Sequence, residues 1–214
     1  MSYPPEVAAA LSGATVRQLS YWRSRRAREP LLAPEVYEPR SRVSYSFGDV
    51  LALRTFVFLK AEGVSLQRIR KAVRNLRELG ELSHLSEYRL VAVGKDVVWR
   101  ISADEALDLT RHPGQAVIAS MVDILRPFRN ERGATVLDLF EPKPGVRIDP
   151  EIRGGYPVVE GTRIPYDVAA SLLRDGLSPE EVQAIYPSMG PNSADGVVEF
   201  AEYVDERRGL KVAA

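Results

Sequence analysis

Between Gly13 and Arg23 an apolar residue returns at every third position, at Val16, Leu19 and Trp22. That spacing specifies a short helix with one buried edge. Gly13 marks a tight turn just before it. Thr15 stands where a hydroxyl can cap the new helix by accepting a backbone N–H. Upstream, residues 3–11 read as a first helix, with Pro4 or Pro5 in its first turn and Val7, Ala8 and Leu11 on its buried side. Two short helices joined through Ser12-Gly13 form a helix-turn-helix, in which the second helix is fixed from behind and open in front. Its open side carries Arg17, Gln18, Ser20, Tyr21 and Ser24. These are the side-chain types that reach phosphates and base edges. The alternative is an ordinary surface helix.

Charge separates the two readings. The chain is neutral overall, but residues 1–80 hold 14 Lys+Arg against 7 Asp+Glu, and the remaining residues hold 15 against 22. A basic first third ahead of an acidic remainder suits one part that meets nucleic acid and another that meets something else.

Beyond the second helix the periodicity dissolves. Residues 23–45 hold Pro30, Pro34 and Pro39 among Arg25, Arg26, Arg28, Arg40 and Arg42, with apolar patches at Leu31-Leu32 and Val43. This reads as a wing, a β-ribbon that lays arginines on the DNA backbone or in a minor groove, or else as a mobile basic loop. Ser46 with Asp49 makes a capping box for a helix through Lys60, built on Val50, Leu53, Phe56, Val57 and Phe58 and ended at Gly63. Ser65 caps another helix with an apolar stripe of Leu66, Ile69, Val73, Leu76 and Leu79. Its arginines, Arg68, Arg70, Arg74 and Arg77, face solvent or phosphate.

Across this stretch Pro5-Glu6-Val7-Ala8, Gly13, Leu19, Tyr21-Trp22, Leu31-Leu32-Ala33-Pro34, Tyr45-Ser46, Asp49-Val50, Leu53 and the run from Gly63 to Ile69 resemble the winged helix-turn-helix of MerR-type regulators. The resemblance implies a DNA-binding head over residues 1–80. The DNA-contacting set on this reading is Thr15, Arg17, Gln18, Ser20, Tyr21, Arg23, Arg25, Arg26, Arg40, Arg42 and Tyr45.

Residues 81–140 form a connecting or dimerisation region. Residues 88–101 are rich in valine around Gly94-Lys95-Asp96 and read as a β-hairpin. Ser102 with Glu105 can cap a short helix. Val117, Met121, Ile124 and Phe128 then form a helical seam, facing the domain core or a second copy. A homodimer is expected, since a helix-turn-helix usually reads two half-sites. His84 and His112 stand apart from other metal-ligand types.

Residues 141–145, Glu-Pro-Lys-Pro-Gly, read as a linker to a third region, residues 145–214. Apolar segments around Gly154-Gly155 are followed by a tight turn at Glu160-Gly161. A helix after Pro165 has Val168, Leu172 and Leu173 on its core side and ends at Gly176. Ser178-Pro179-Glu180-Glu181 starts another, and Ser193 opens the last, with Val197, Phe200, Ala201 and Val204 inward. Arg163 either braces the turn or faces a partner.

The string from Ile152 to Pro165, Ile-Arg-Gly-Gly-Tyr-Pro-Val-Val-Glu-Gly-Thr-Arg-Ile-Pro, followed by the run from Gly176 to Val182 and by Tyr186-Pro187, resembles a domain of unknown function found in VapB-type antitoxins. That resemblance implies a protein that neutralises a VapC toxin, a PIN-domain ribonuclease, and represses its own operon. A cationic tail with Arg207, Arg208 and Lys211, or the face of the last helix with Tyr203, would meet the toxin's carboxylate and Mg²⁺ site, with Arg163 as a further contact. A frayed terminus is the alternative for the tail. The competing reading is a stand-alone MerR-type regulator that responds to a small ligand.

The expected fold class is mainly α with small β elements, a winged helix-turn-helix plus a second small α+β helical domain. No cysteine is present, so disulfides and thiolate metal sites are excluded and a cytoplasmic setting is expected. No apolar run is long enough to span a membrane, and the first residues lack a secretory pattern. No nucleophile–base pair, metal cluster or phosphate loop is legible, so neither enzyme activity nor a cofactor is expected.

Overall fold

The computed structural model describes residues 2–24, 30–34, 43–78, 89–93, 96–100, 106–108, 121–190 and 192–208, the side chains of 76–78, 89–93, 96–100, 106–108, 121 and 122 excepted. Capping chemistry places the first helices. Helix α1, Pro5–Ser12, is stopped by Gly13 at φ 77, whose N–H donates to the Ala9 carbonyl. Helix α2, Val16–Arg23, starts with a reciprocal box. The Gln18 N–H donates to Thr15 Oγ1 at 3.1 Å, and the Thr15 N–H donates to Gln18 Oε1 at 2.8 Å. Helix α3, Phe47–Ala61, starts the same way on Ser46 and Asp49. Helix α4, Leu66–Glu78, follows. Leu19 and Trp22 are buried as their spacing requires, and Trp22 meets Phe56 edge-on at 6.1 Å between ring centroids. Val16 is only half-buried.

Arg54, in the middle of α3, is fully buried and makes no ion pair among the described residues. It donates to five carbonyls: Leu11 (2.6 Å), Ile124, Leu125 (3.2 Å), Arg126 (2.9 Å) and Leu137 (2.6 Å). Leu11 lies in the last turn of α1, and Ile124 and Leu125 close helix α5, Met121–Leu125. The last carbonyls of a helix have no intrahelical partner and carry its negative pole. One guanidinium therefore caps two helix ends and ties both to the segment at Leu137. Burial lowers the Arg54 pKa to about 10, which leaves it cationic at neutral pH.

The middle region departs from expectation twice. Strands β1, Arg89–Val93, and β2, Asp96–Arg100, pair antiparallel as the hairpin predicts. A third strand, β3, Ala106–Asp108, runs where a helix capped by Ser102 is expected, with Leu107 opposite Trp99. The seam ending at Phe128 also breaks. Pro127 ends the helical run, and Phe128 belongs to strand β4, Phe128–Arg129, paired with β5, Thr135–Val136. Its ring packs edge-on against Phe58 at 5.1 Å.

The carboxy-terminal module pairs β6, Val146–Arg147, with β7, Val158–Val159, across a 3-10 turn at Arg153–Gly155. Helices α6, Tyr166–Arg174, α7, Pro179–Ile185, and α8, Ser193–Arg208, complete it. Val197, Phe200, Ala201 and Val204 are buried as expected, but Val168 is 39% exposed, and Tyr166, Ala169 and Ala170 form the buried side of α6 instead. The segment expected to be a linker is packed. Lys143 pairs with Glu199 at 2.6 Å, Glu141 pairs with Arg147, and a Cβ on Gly196 would collide with the Pro144 carbonyl.

Helix α8 lies on α1, so the first and last helices share one core. A chain of rings runs through that core from Tyr3 to Tyr156, Tyr166 and Phe200. The Tyr3 hydroxyl donates to the Gly155 carbonyl, and a Cβ on Gly155 would stand 2.6 Å from that hydroxyl and 2.7 Å from the Phe47 ring. Two stretches of unlike sequence texture are thus one packed body.

Candidate nucleic-acid interface

Helix α2 sits on α1 with its buried edge inward, and this leaves Arg17, Ser20 and Tyr21 exposed. Tyr21 is 54% exposed, an unusual position for so large a ring, and Arg70 of α4 covers one face of it at 5.4 Å. Stacked guanidinium and phenol groups form a polar, weakly hydrated platform. The Arg17 side chain makes no hydrogen bond or ion pair among the described residues and is available to a phosphate or a base edge.

The other expected contacts divide by what the fold does with them. Thr15 and Gln18 are half-buried and commit oxygens to capping α2. Gln18 retains its amide N–H, which donates to Glu131 at 3.3 Å. Arg23 is half-buried at the end of α2. Tyr45 is 1% exposed, and its backbone pairs with Tyr3 through two hydrogen bonds of 2.7 and 2.9 Å. That ring belongs to the core and is withdrawn from the contacting set. Burial raises its phenol pKa, while the charge of Arg23 opposes the rise. Arg25, Arg26, Arg40 and Arg42 lie outside the described residues. The returning chain beside them is anchored, since Leu31 and Leu32 are buried and the Leu31 N–H donates to the Trp22 carbonyl at 2.8 Å.

Sequence reasoning overlooked the β4–β5 hairpin. The buried side chain of Asn130 donates to the Gly13 carbonyl at 3.1 Å and accepts from the Arg132 and Ala134 N–H groups at 3.0 Å each. Glu131, at the tip, accepts from Lys60 at 2.6 Å as well as from Gln18. The available signal was the run Asn130-Glu131-Arg132-Gly133, an Asx-type turn with glycine at its end.

At the opposite end, Tyr203, Arg207 and Arg208 are occupied within the chain. The Tyr203 hydroxyl donates to the Thr135 carbonyl at 3.1 Å, and Arg207 lies over the Tyr203 ring at 4.9 Å and donates to its hydroxyl at 3.2 Å. Arg208 pairs with Glu6 of α1 at 2.9 Å. These side chains fasten α8 to the head and are not presented as a free tail. Lys211 lies outside the described residues.

Arg163 serves the turn through its backbone, since its carbonyl accepts from Arg153 Nε at 2.7 Å. Its exposed side chain lines a cleft of about 800 Å³ with Arg153, Tyr156, Asp167 and Tyr186. Arg153 holds a left-handed φ of 52°, uncommon for a residue with a side chain. Thr162 closes the neighbouring turn, donating to the Val159 carbonyl at 2.8 Å and accepting from the Ile164 N–H at 2.9 Å. Among the described residues no group of three His, Cys, Asp or Glu side chains is placed to hold a metal, and no helix is long and apolar enough to cross a membrane.

Residues 3–76 match the MerR HTH family regulatory protein model, and residues 146–201 match a family described as a protein of unknown function, DUF433. Over 125 residues the chain is 35% identical to the uncharacterized HTH-type transcriptional regulators Rv1830 of Mycobacterium tuberculosis and Mb1861 of Mycobacterium bovis, covering 57% of this chain and 53% of each relative. The chain thus spans about half the length of the curated relatives it matches. It is also 42% identical over 66 residues to the uncharacterized protein y4eO of Sinorhizobium fredii, covering 30% of this chain and 29% of that one. The crystal structure of Rv2018 from Mycobacterium tuberculosis shares the fold, with a TM-score of 0.52 over 92% of this chain and 96% of that one at 13% identity.

Proposed function

We propose that this protein is a DNA-binding transcriptional regulator that inserts α2 into the major groove of an operator. Arg17, Ser20 and Tyr21 are its contacts there, and Arg23 and the wing arginines Arg25, Arg26, Arg40 and Arg42 hold the backbone. The observation that carries this reading is the exposed guanidinium of Arg17, without a partner among the described residues, on a helix whose opposite edge is fixed by Leu19 and Trp22. A homodimer would bring two such helices to two half-sites. Binding of the full chain to a duplex from upstream of its own gene tests the reading. Arg17→Ala should weaken binding at least fivefold and flatten the dependence of log K on log salt by about one. Unchanged affinity for Arg17→Ala, or no binding by the parent chain, would refute it.

A second reading adds neutralisation of a VapC-type PIN-domain toxin. It rests on the resemblance of residues 152–187 noted from the sequence and on the exposed Arg163, which lines a cleft with Arg153. Tyr203, Arg207 and Arg208 are engaged within the chain while α8 stays on α1. Mixing the protein with the PIN-domain product of an adjacent gene should abolish its ribonuclease activity, and Arg163→Glu should restore it. Ribonuclease activity untouched by the parent chain would leave the regulator reading standing alone.

A further inference from the structure

The β4–β5 hairpin comes from beyond the four helices of the MerR-type head, yet it is docked on the turn between α1 and α2. The Asn130 amide holds the Gly13 carbonyl, and Val136 fills the space that a Cβ on Gly13 would need. Glu131 reaches both Gln18 in the first turn of α2 and Lys60 at the end of α3. Arg132 lines the same narrow crevice as Gln18 and Lys60. Both Arg129 and Arg132 are exposed, and neither guanidinium has a hydrogen-bond or ion-pair partner among the described residues.

The N-terminal residues of a recognition helix meet the base edges. An element locked beside that turn is therefore carried against the phosphates that flank the groove. The acid at its tip does not oppose this, because the Lys60 ammonium lies 2.6 Å from Glu131 and compensates its charge. We propose that the β4–β5 hairpin is a second DNA-contacting wing that sets Arg132, with Arg129 behind it, on the phosphate backbone beside the start of α2. The proposal rests on the regulator reading above and adds an element that sequence reasoning did not include.

Fluorescence anisotropy of the full chain on a labelled duplex from upstream of its own gene, between about 50 and 200 mM salt, tests it. Each phosphate-contacting arginine lost should flatten the salt slope by about one. Arg132→Ala should show that change with a severalfold loss of affinity, and the Arg129→Ala/Arg132→Ala double variant should show roughly twice the change in slope. Arg132→Lys should restore most of the slope, since the phosphate contact needs the charge. Melting temperatures should stay at the parent value, because both side chains are exposed. If Arg17→Ala weakens binding while the double variant keeps the parent affinity and slope, the hairpin is not a wing and the regulator reading survives. If the parent chain binds no duplex, that reading falls and takes the hairpin with it.

Discussion

Arg54 shows how one side chain can decide the shape of a helix-turn-helix head. It is a buried cation with no ion pair among the described residues, tolerated because five carbonyl oxygens surround it, three of them at two helix ends, and because the Asp138 carboxylate favours its charge. Removing it strands those carbonyls in a dry site, each at about 1–3 kcal/mol. Arg54→Met should therefore lower unfolding stability by at least ~3 kcal/mol, read as a drop in the urea midpoint. Arg54→Lys should rescue little, since three donors on one nitrogen cannot span five acceptors on separate segments. None of this was legible in the sequence, where Arg54 is one arginine among many in a basic third. A long-range cap leaves no local spacing to detect. Tyr45 misled for the converse reason, as an aromatic next to arginines suits a phosphate as well as it suits a core. The Thr15–Gln18 and Ser46–Asp49 boxes are short-range chemistry: spacing specified Ser46 with Asp49, and position specified the Thr15 cap, while Gln18 was assigned to DNA and not to its box.

The elements obey the same division between local and distant causes. The helices of the head and of the carboxy-terminal module follow their caps and apolar spacing, so their sequence positions hold. The β4–β5 hairpin and strand β3 exist through pairing with segments that period counting does not connect, and Pro127 alone signalled that the helical seam could not reach Phe128. Helix α8 combines both kinds of cause. Its buried edge was visible, but its seat on α1 was not. Burial rather than charge holds that seat. Phe200→Ala should cost about 3–5 kcal/mol through the cavity it leaves against Tyr166. Arg208→Ala, which removes a solvent-facing pair with Glu6, should cost under ~1 kcal/mol. Chemical denaturation of the two variants side by side checks the ranking, and a larger loss for Arg208→Ala would reverse the assignment. Gly196→Ala should destabilise by about 3 kcal/mol, because its methyl meets the rigid Pro144 carbonyl rather than a side chain that can turn away.

For the molecule as a whole, the buried tyrosines set a limit on alkaline stability. Burial raises the phenol pKa of Tyr3, Tyr45, Tyr156 and Tyr166 above the ordinary 10.0, with the neighbouring Asp167 carboxylate adding to the effect at Tyr156. The unfolded chain ionises these groups near pH 10.0 while the native state keeps them protonated. The unfolded state then binds fewer protons, so stability is intact below that pH and falls as pH climbs past it. Urea midpoints measured from pH 8 to 11, with phenolate absorbance as a second reading, should show flat stability that declines from about pH 10. A midpoint unchanged through pH 11 would contradict the buried stack. The joining of Tyr3 to Tyr156 and of α1 to α8 also fixes an order of events during synthesis. The ribosome releases α1 first, but Val7 and its neighbours stay uncovered until the segment around Val204 has left the exit tunnel. A nascent or prematurely terminated copy would therefore lack the helix that completes the core around α1.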